Sequence, residues 1–303
     1  MFTVKARGER PGFSETFPYP LRRTEGAHRL AYFDSGPGAN GPPILFCHGL
    51  GGNFTHWEHV APPLAETHRV IGLDLPGCGD SAKQKKNGAA HYTIRSYADA
   101  AVRLLDHLQI AEAVVVGHSL GGMVASEAAL VHPRRVQQLV IIDAAGFHRY
   151  TRSLRWAARL IARPRLIAPT MERLAHTLLT NVFHERNRYT DRFVAQTRGR
   201  EAHPTIDDFA EMACSILPDL VDRHFLDDLE RIVQPTLVVW GDQDKLLPFA
   251  EVPAWARRLP KGQLVVLRGC GHMPITERPA AVVTALQEFL GVAAAPLRRT
   301  GSI

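Results

Sequence analysis

Short apolar runs recur along the chain, each closed by polar or glycine-rich residues. Residues 43–48, 69–74, 113–117, 136–142, 236–240 and 263–268 are such runs. Their apolar positions are consecutive rather than alternating, as in strands covered on both faces. Residues 97–108 and 122–132 lie between runs and read as helices. Alternation of this kind predicts an α/β fold with a mostly parallel sheet. Upstream, residues 15–22 and 28–33 read as a hairpin leading in.

The pattern changes from Phe147 to Glu230. There the composition is helical and β-rich runs are missing. A helical insert over 147–230 is expected, with a core formed by 1–146 and 231–303. Leu154, Trp156, Leu160, Ile161, Leu166, Ile167, Leu174, Leu178 and Leu179 of that insert would pack its interior or line an acyl cleft. Residues 292–303 read as a frayed tail.

Charge changes the picture of the insert. Its first part carries Arg149, Arg152, Arg155, Arg159, Arg163, Arg165 and Arg173 against the single acid Glu172, which accounts for the whole net charge of +6. Five of these arginines follow helical steps, giving a basic face beside an apolar one. A solvated face is the plain expectation; weak contact with an anionic lipid surface or an acidic acyl carrier is the sharper one. No nucleic-acid-binding motif accompanies the patch, so nucleic acid is not an expected partner. The second part of the insert is acidic, with Asp219, Asp222, Asp227 and Asp228 among its carboxylates.

Composition narrows the class without naming a function. With 303 residues, 45% hydrophobic and 22% charged, the chain is neither disordered, collagen-like nor coiled-coil. No run reaches the roughly 18 apolar residues of a membrane span. Residues 1–12 lack the apolar stretch of a secretory signal. The cysteines at 47, 78, 214 and 270 form no C-x-x-C pair. A cytoplasmic location with reduced thiols is therefore expected.

The chemistry centres on Gly117-His118-Ser119-Leu120-Gly121-Gly122. It follows a strand run and opens an Ala-rich helical one, the setting of a nucleophile elbow. In so tight a turn the serine takes a strained backbone, and glycines two residues to either side keep Cβ atoms out of crowded space. His118 inside the motif points elsewhere and reads as structural. A nucleophilic serine needs a base, and His272 follows the last strand run. The base needs an orienting carboxylate, and Asp242 and Asp244 both follow the preceding run. His56-x-x-His59 lacks a third ligand nearby and reads as a surface helix rather than a metal site.

Together these motifs resemble the α/β-hydrolase fold family over about residues 15–290. His48-Gly49-Leu50-Gly51-Gly52 is similar to its oxyanion loop, and residues 74–81 to the turn after its next strand. Gly241-x-x-Asp244 matches the usual acid motif and so favours Asp244 over Asp242. Gly271-His272, with Glu277-Arg278-Pro279 after it, matches the usual end. The resemblance implies an eight-stranded, mostly parallel sheet flanked by helices, with the insert as a cap. It implies Ser119 as nucleophile, His272 as base and Asp244 as orienter, with the backbone N–H groups of Leu50 and Leu120 as oxyanion hole. It implies neither metal nor organic cofactor. Some members carry the acid after the earlier strand, which makes Asp143 a reserve candidate.

The fold runs several reactions, so the site must discriminate. Ser119 stands where haloalkane dehalogenases and epoxide hydrolases carry aspartate. The Ser-Gly-Pro-Gly loop usual in C–C bond hydrolases and the His-Gly-Phe-Pro of cofactor-free haloperoxidases are both missing. Hydrolysis of a hydrophobic acyl or aryl ester, a small-molecule substrate, is the leading expectation. C–C hydrolysis of a ring-cleavage product comes next, and a ligand-binding protein without catalysis after it.

Overall fold

The computed structural model describes residues 17–37, 40–83, 85–86, 89–165, 181–198 and 206–291. The expected tail over 292–303 lies outside them, as do Leu166, Ile167, Leu174, Leu178 and Leu179 of the insert.

Every apolar run of the sequence forms a strand. The main sheet has eight: β1 (Arg22–Arg23), β2 (Ala31–Asp34), β3 (Gly41–Cys47), β4 (His68–Leu73), β5 (Ala113–His118), β6 (Val136–Ile142), β7 (Thr236–Gly241) and β8 (Gly262–Leu267). Their spatial order is β1-β2-β4-β3-β5-β6-β7-β8. From β4 to β8 all neighbours are parallel, while β1 on β2 and β2 on β4 are antiparallel. The leading hairpin exists, but its first described strand is only two residues long.

Both faces of the sheet are buried, which is why the runs do not alternate with polar residues. Ile44 and Phe46 point into one core with Val114, Val116, Leu237 and Val239. Leu45 and Cys47 point into the other with Val115, Leu139, Ile141 and Val238. Helix α1 (Ile94–His107) and helix α2 (Leu120–Val131) cover the second face. Helix α1 starts on a reciprocal cap, with Thr93 Oγ1 accepting from the Ser96 amide and Ser96 Oγ from the Thr93 amide. Its partner α2 is apolar nearly all round and buried along most of its length, as a central helix must be.

Between β6 and β7 every described element is helical. Helices α3 (Arg152–Ile161), α4 (Arg188–Arg198) and α5 (Ile206–Asp222) lie there. Helix α3 packs on α5, and α4 on the short helical turn Pro274–Glu277 that follows the last strand. Helix α6 (Pro279–Gly291) closes the chain's described part against the first face of the sheet.

Arg149, Arg155 and Arg159 are not a purely solvated basic face. Arg149 pairs with Asp227, and Arg155 and Arg159 both pair with Asp222. The basic first part of the insert is thus tied to its acidic second part. Among the described residues no helix is long and apolar enough to cross a membrane. All four cysteines are free thiols and buried.

Candidate active site

The site forms at the carboxyl ends of the parallel strands. β5 ends at His118, and Ser119 turns the chain into α2 with φ 54° and ψ −117°. A positive φ at a non-glycine residue costs on the order of 1–3 kcal/mol. Three backbone hydrogen bonds hold it there. The Ser119 amide donates to the Ile142 carbonyl at 3.0 Å, and its own carbonyl accepts from Gly122 at 3.0 Å and Ala145 at 3.2 Å. A Cβ on Gly117 would overlap the Gly121 carbonyl, and one on Gly121 would overlap the Cys47 carbonyl. The spacing of glycines around the serine is therefore steric.

His272 lies beyond β8 and reaches back across the sheet. Its Nε2 is 3.0 Å from Ser119 Oγ, and its Nδ1 is 2.7 Å from Asp244 Oδ2. With Asp244 ionised, Nδ1 donates and Nε2 is free to accept the serine proton. The other Asp244 oxygen accepts from the Leu246 amide at 2.8 Å and the Leu247 amide at 2.9 Å. Burial works to raise the Asp244 carboxyl. The hydrogen bond and charge of His272, the Leu247 amide and Asp143 outweigh it, and the group is held below the usual carboxylate range. Asp242, the competing carboxylate, turns away and accepts from the Gly269 amide at 2.8 Å.

Asp143 is not bonded to the histidine. It follows β6 with φ 38°, is completely buried, and accepts from the Gly241 amide at 3.1 Å. Burial, the charge of Asp244 beside it and a hydrogen bond to that carboxylate push it well above the ordinary carboxylate range. The opposite directions of the two shifts favour the protonated form at Asp143 and the ionised form at Asp244. Asp143, Asp244 and His272 have donor atoms within 4.8 Å of one another, a spacing that a cation could bridge. The hydrogen bonds just described already occupy these atoms. His56 and His59 diverge, one ring against Phe193 and the other against Tyr189.

Leu120 is the first residue of α2, so its amide belongs to the turn whose N–H groups lack intrahelical acceptors. Leu50 sits in the loop after β3, beside Ser119: a Cβ on the preceding Gly49 would come 3.2 Å from Ser119 Cβ. That loop is fixed from below. His48 Nε2 accepts from the Leu75 amide at 3.0 Å, so its Nδ1 carries the proton and donates to the Gly49 carbonyl at 2.8 Å. Asp74 accepts from Phe54 at 2.7 Å and from Asp80 at 2.8 Å, which explains the acidic residue in that turn. Burial lowers His48 to about 4, outweighing its bond to Gly49, and His48 is neutral.

His118, expected to be structural, has a partner that the sequence did not show, and the role of Glu277 was not foreseen. His118 Nε2 donates to the His272 carbonyl at 2.7 Å and braces the His272 loop. Burial, then the neighbouring His272, lower it to about 3. Glu277 is buried, and its carboxylate accepts from the Gly271, His184 and Glu185 amides. The His272 amide itself donates to the Val182 carbonyl at 2.7 Å. The middle of the insert is therefore clamped to the histidine loop. Its only trace in the sequence was the Glu277-Arg278-Pro279 motif, which does not reveal what the carboxylate holds.

Residues 42–279 match the model of the alpha/beta hydrolase fold family. The chain is 31% identical over 277 residues to a protein of Pseudomonas putida named dihydrolipoyllysine-residue acetyltransferase component of acetoin cleaving system, with 90% of this chain and 70% of that one covered. It is 30% identical over 274 residues to a 2-hydroxymuconate semialdehyde hydrolase of a Pseudomonas species, covering 88% and 91%. Among solved structures, a thermophilic esterase from Thermogutta terrifontis superposes with a TM-score of 0.74 at 26% identity, covering 90% of this chain and all of that one. With its sheet order, its serine turn and a family match over most of its length, the chain belongs to the alpha/beta hydrolase fold family.

Proposed function

We propose that the chain is a serine hydrolase that cleaves carboxylic esters through an acyl-enzyme on Ser119. The observation that carries this reading is the hydrogen-bonded series Ser119–His272–Asp244, with steps of 3.0 Å and 2.7 Å. Ser119 Oγ attacks the ester carbonyl carbon while His272 Nε2 takes its proton. Asp244 stabilises the resulting imidazolium. The carbonyl oxygen becomes an oxyanion held by the Leu50 and Leu120 amides; one such donor is worth roughly 10²–10³ in rate. Collapse of the tetrahedral intermediate breaks the C–O bond, and His272 returns the proton to the departing alcohol. Water, deprotonated by His272, then attacks the acyl-enzyme and frees the acid and Ser119.

A hydrophobic acyl or aryl group suits the surroundings. Leu50 is 41% exposed, and Phe209 of α5 lies against Gly51 of the same loop. The similar esterase supports ester hydrolysis, and the named acetyl transfer of the Pseudomonas putida protein also moves an acyl group. C–C hydrolysis is the second reading, favoured by the 30% identity to the semialdehyde hydrolase.

The test is hydrolysis of p-nitrophenyl esters of graded chain length by the wild type and Ser119→Ala. Turnover by the wild type alone, rising with chain length, is expected. No turnover of any ester, in a protein that a fluorophosphonate still labels at Ser119, transfers the assignment to C–C cleavage. Absence of labelling as well overturns the hydrolase reading in favour of ligand binding.

A further inference from the structure

Seven large apolar side chains are exposed among the described residues, and four of them lie on α3. Leu154 is 49% exposed, Trp156 65%, Leu160 41% and Ile161 54%. At 3.6 residues per turn, these four share one half of the helix with Ser153 and Ala157. Arg155, Ala158, Arg159 and Ala162 occupy the other half, and Arg152 lies at the boundary between the two. The second half faces the protein: Ala158 is buried, and Arg155 and Arg159 are held by Asp222 at the end of α5. An ordinary surface helix buries its apolar side and exposes its charges. In α3 the charges anchor the helix and the apolar side is turned outward.

Cations border this outward side. Arg152 lies one turn before Trp156 on the same stripe, and Arg163 and Arg165 follow the helix end. All three are exposed, and none has a carboxylate partner among the described residues. The arginines thus divide into a set that is neutralised at Asp222 and Asp227 and a set without a carboxylate partner among the described residues.

We propose that α3 is an interfacial helix that seats the protein on an anionic phospholipid surface. Trp156, Leu160, Leu154 and Ile161 enter the boundary between headgroups and acyl chains, where amphipathic helices with Trp and Leu bury their apolar side. Arg152, Arg163 and Arg165 meet lipid phosphates, which a guanidinium can bind in bidentate fashion. An apolar side with no charge on it, bordered at both ends by cations that have no carboxylate partner among the described residues, fits a bilayer rather than the mixed polar surface of a protein partner. Helix α5 joins this face to the site: Phe209 near its start touches the Leu50 loop, and Asp222 at its end holds α3. Delivery of a membrane-dissolved ester to Ser119 rests on the hydrolase reading; the binding itself does not.

The experiment separates the two by using Ser119→Ala, which keeps the surface and removes the chemistry. Flotation with phosphatidylcholine vesicles, with and without phosphatidylglycerol, measures binding. Trp156 is the exposed one of four tryptophans, so a blue shift of emission reports its insertion. Binding to the anionic vesicles only, weakened by salt and accompanied by the blue shift, is expected. Replacing Arg152, Arg163 or Arg165 by Gln should each reduce partitioning about fivefold. Trp156→Ser with Leu160→Ser should reduce it at least about tenfold. Failure to bind anionic vesicles overturns the proposal, as does binding that these exposed-site variants leave intact. A dimer in solution that the Trp156→Ser, Leu160→Ser variant dissociates would overturn it too, by making the face a contact between copies.

Discussion

The surroundings of Ser119 and the helix α3 handle polar groups in opposite ways. Around the serine, His48, His118, Asp143, Asp244 and Glu277 are all buried, and each is bound to a backbone group, for all but Asp244 one of another segment. In α3 the polar side is bound through one partly exposed carboxylate, Asp222, while the apolar side is left outside. Buried polar groups tolerate few arrangements, because each unmade hydrogen bond costs about 1–3 kcal/mol. Exposed ion pairs are worth about 0–1 kcal/mol and hold a helix without prescribing atomic positions. One region is built for geometry and the other for contact.

The largest effect should come at the serine. Ser119→Ala is expected to lower kcat/KM for ester hydrolysis by about 10⁶, with the fold intact by circular dichroism. Ser119→Gly should be equally inactive yet more stable by about 1 kcal/mol in urea denaturation, because glycine accepts φ 54° without strain. Equal stability of the two variants would show that the turn stores no strain.

The next contrast is between the two aspartates. Asp244→Asn should cost about 10⁴ in kcat, since the amide favours the wrong histidine tautomer. Asp143→Asn keeps a neutral hydrogen-bond donor and should remain within about tenfold of wild type. If Asp143→Asn were the more damaging variant in the same steady-state assay, the acid would have been misassigned.

Glu277→Gln replaces two acceptor oxygens with one, leaving amides of the His272 loop unmatched. A loss on the order of 2 kcal/mol in stability and tenfold or more in kcat is expected, with KM changed less. By contrast, Asp222→Ala at α3 should cost no more than about 1 kcal/mol. Comparable losses for the two would erase the distinction between the regions.

Stability should also depend on pH in a predictable direction. His48 and His118 are depressed in the folded state to about 4 and about 3 from an ordinary 6.5. As pH falls below about 6.5, the unfolded chain binds protons that the folded chain does not, and stability is lost. Asp143 is raised, so the folded chain keeps a proton that the unfolded chain releases. Stability is therefore lost as pH rises from its ordinary value towards its raised one. The histidines, His68 among them, lower stability towards acid pH and Asp143 lowers it towards higher pH, so stability falls on both sides. Denaturant midpoints across pH would show it, and Asp143→Asn should flatten the alkaline side. The smallest effects belong to the thiols. Burial raises Cys47 to about 12 and raises Cys78 and Cys270 as well, the last two also through nearby carboxylates. Replacing any of them by Ser should leave ester hydrolysis within a few fold.

The sequence by itself determined the parallel sheet, because strands covered on both faces need consecutive apolar residues, as 113–117 and 136–142 show. It determined the serine turn too, because the overlap that requires Gly117 arises within a few residues of Ser119; Gly121 answers instead to Cys47 of the neighbouring strand. Which carboxylate serves His272 was decided by tertiary structure. Asp143, Asp242 and Asp244 all follow strand ends, and only assembly of three strands turns Asp242 to Gly269, buries Asp143 beside Asp244 and aims Asp244 at the ring. The partners of His118 and Glu277 were likewise invisible, since they lie 154 and 93 residues away. Helical spacing showed that α3 has two unlike faces, but not which one faces the protein. That depended on Asp222, brought from α5, which drew the arginines inward and left Trp156 outside. Local sterics and periodicity act along the chain; desolvation and charge pairing act between segments that only folding brings together.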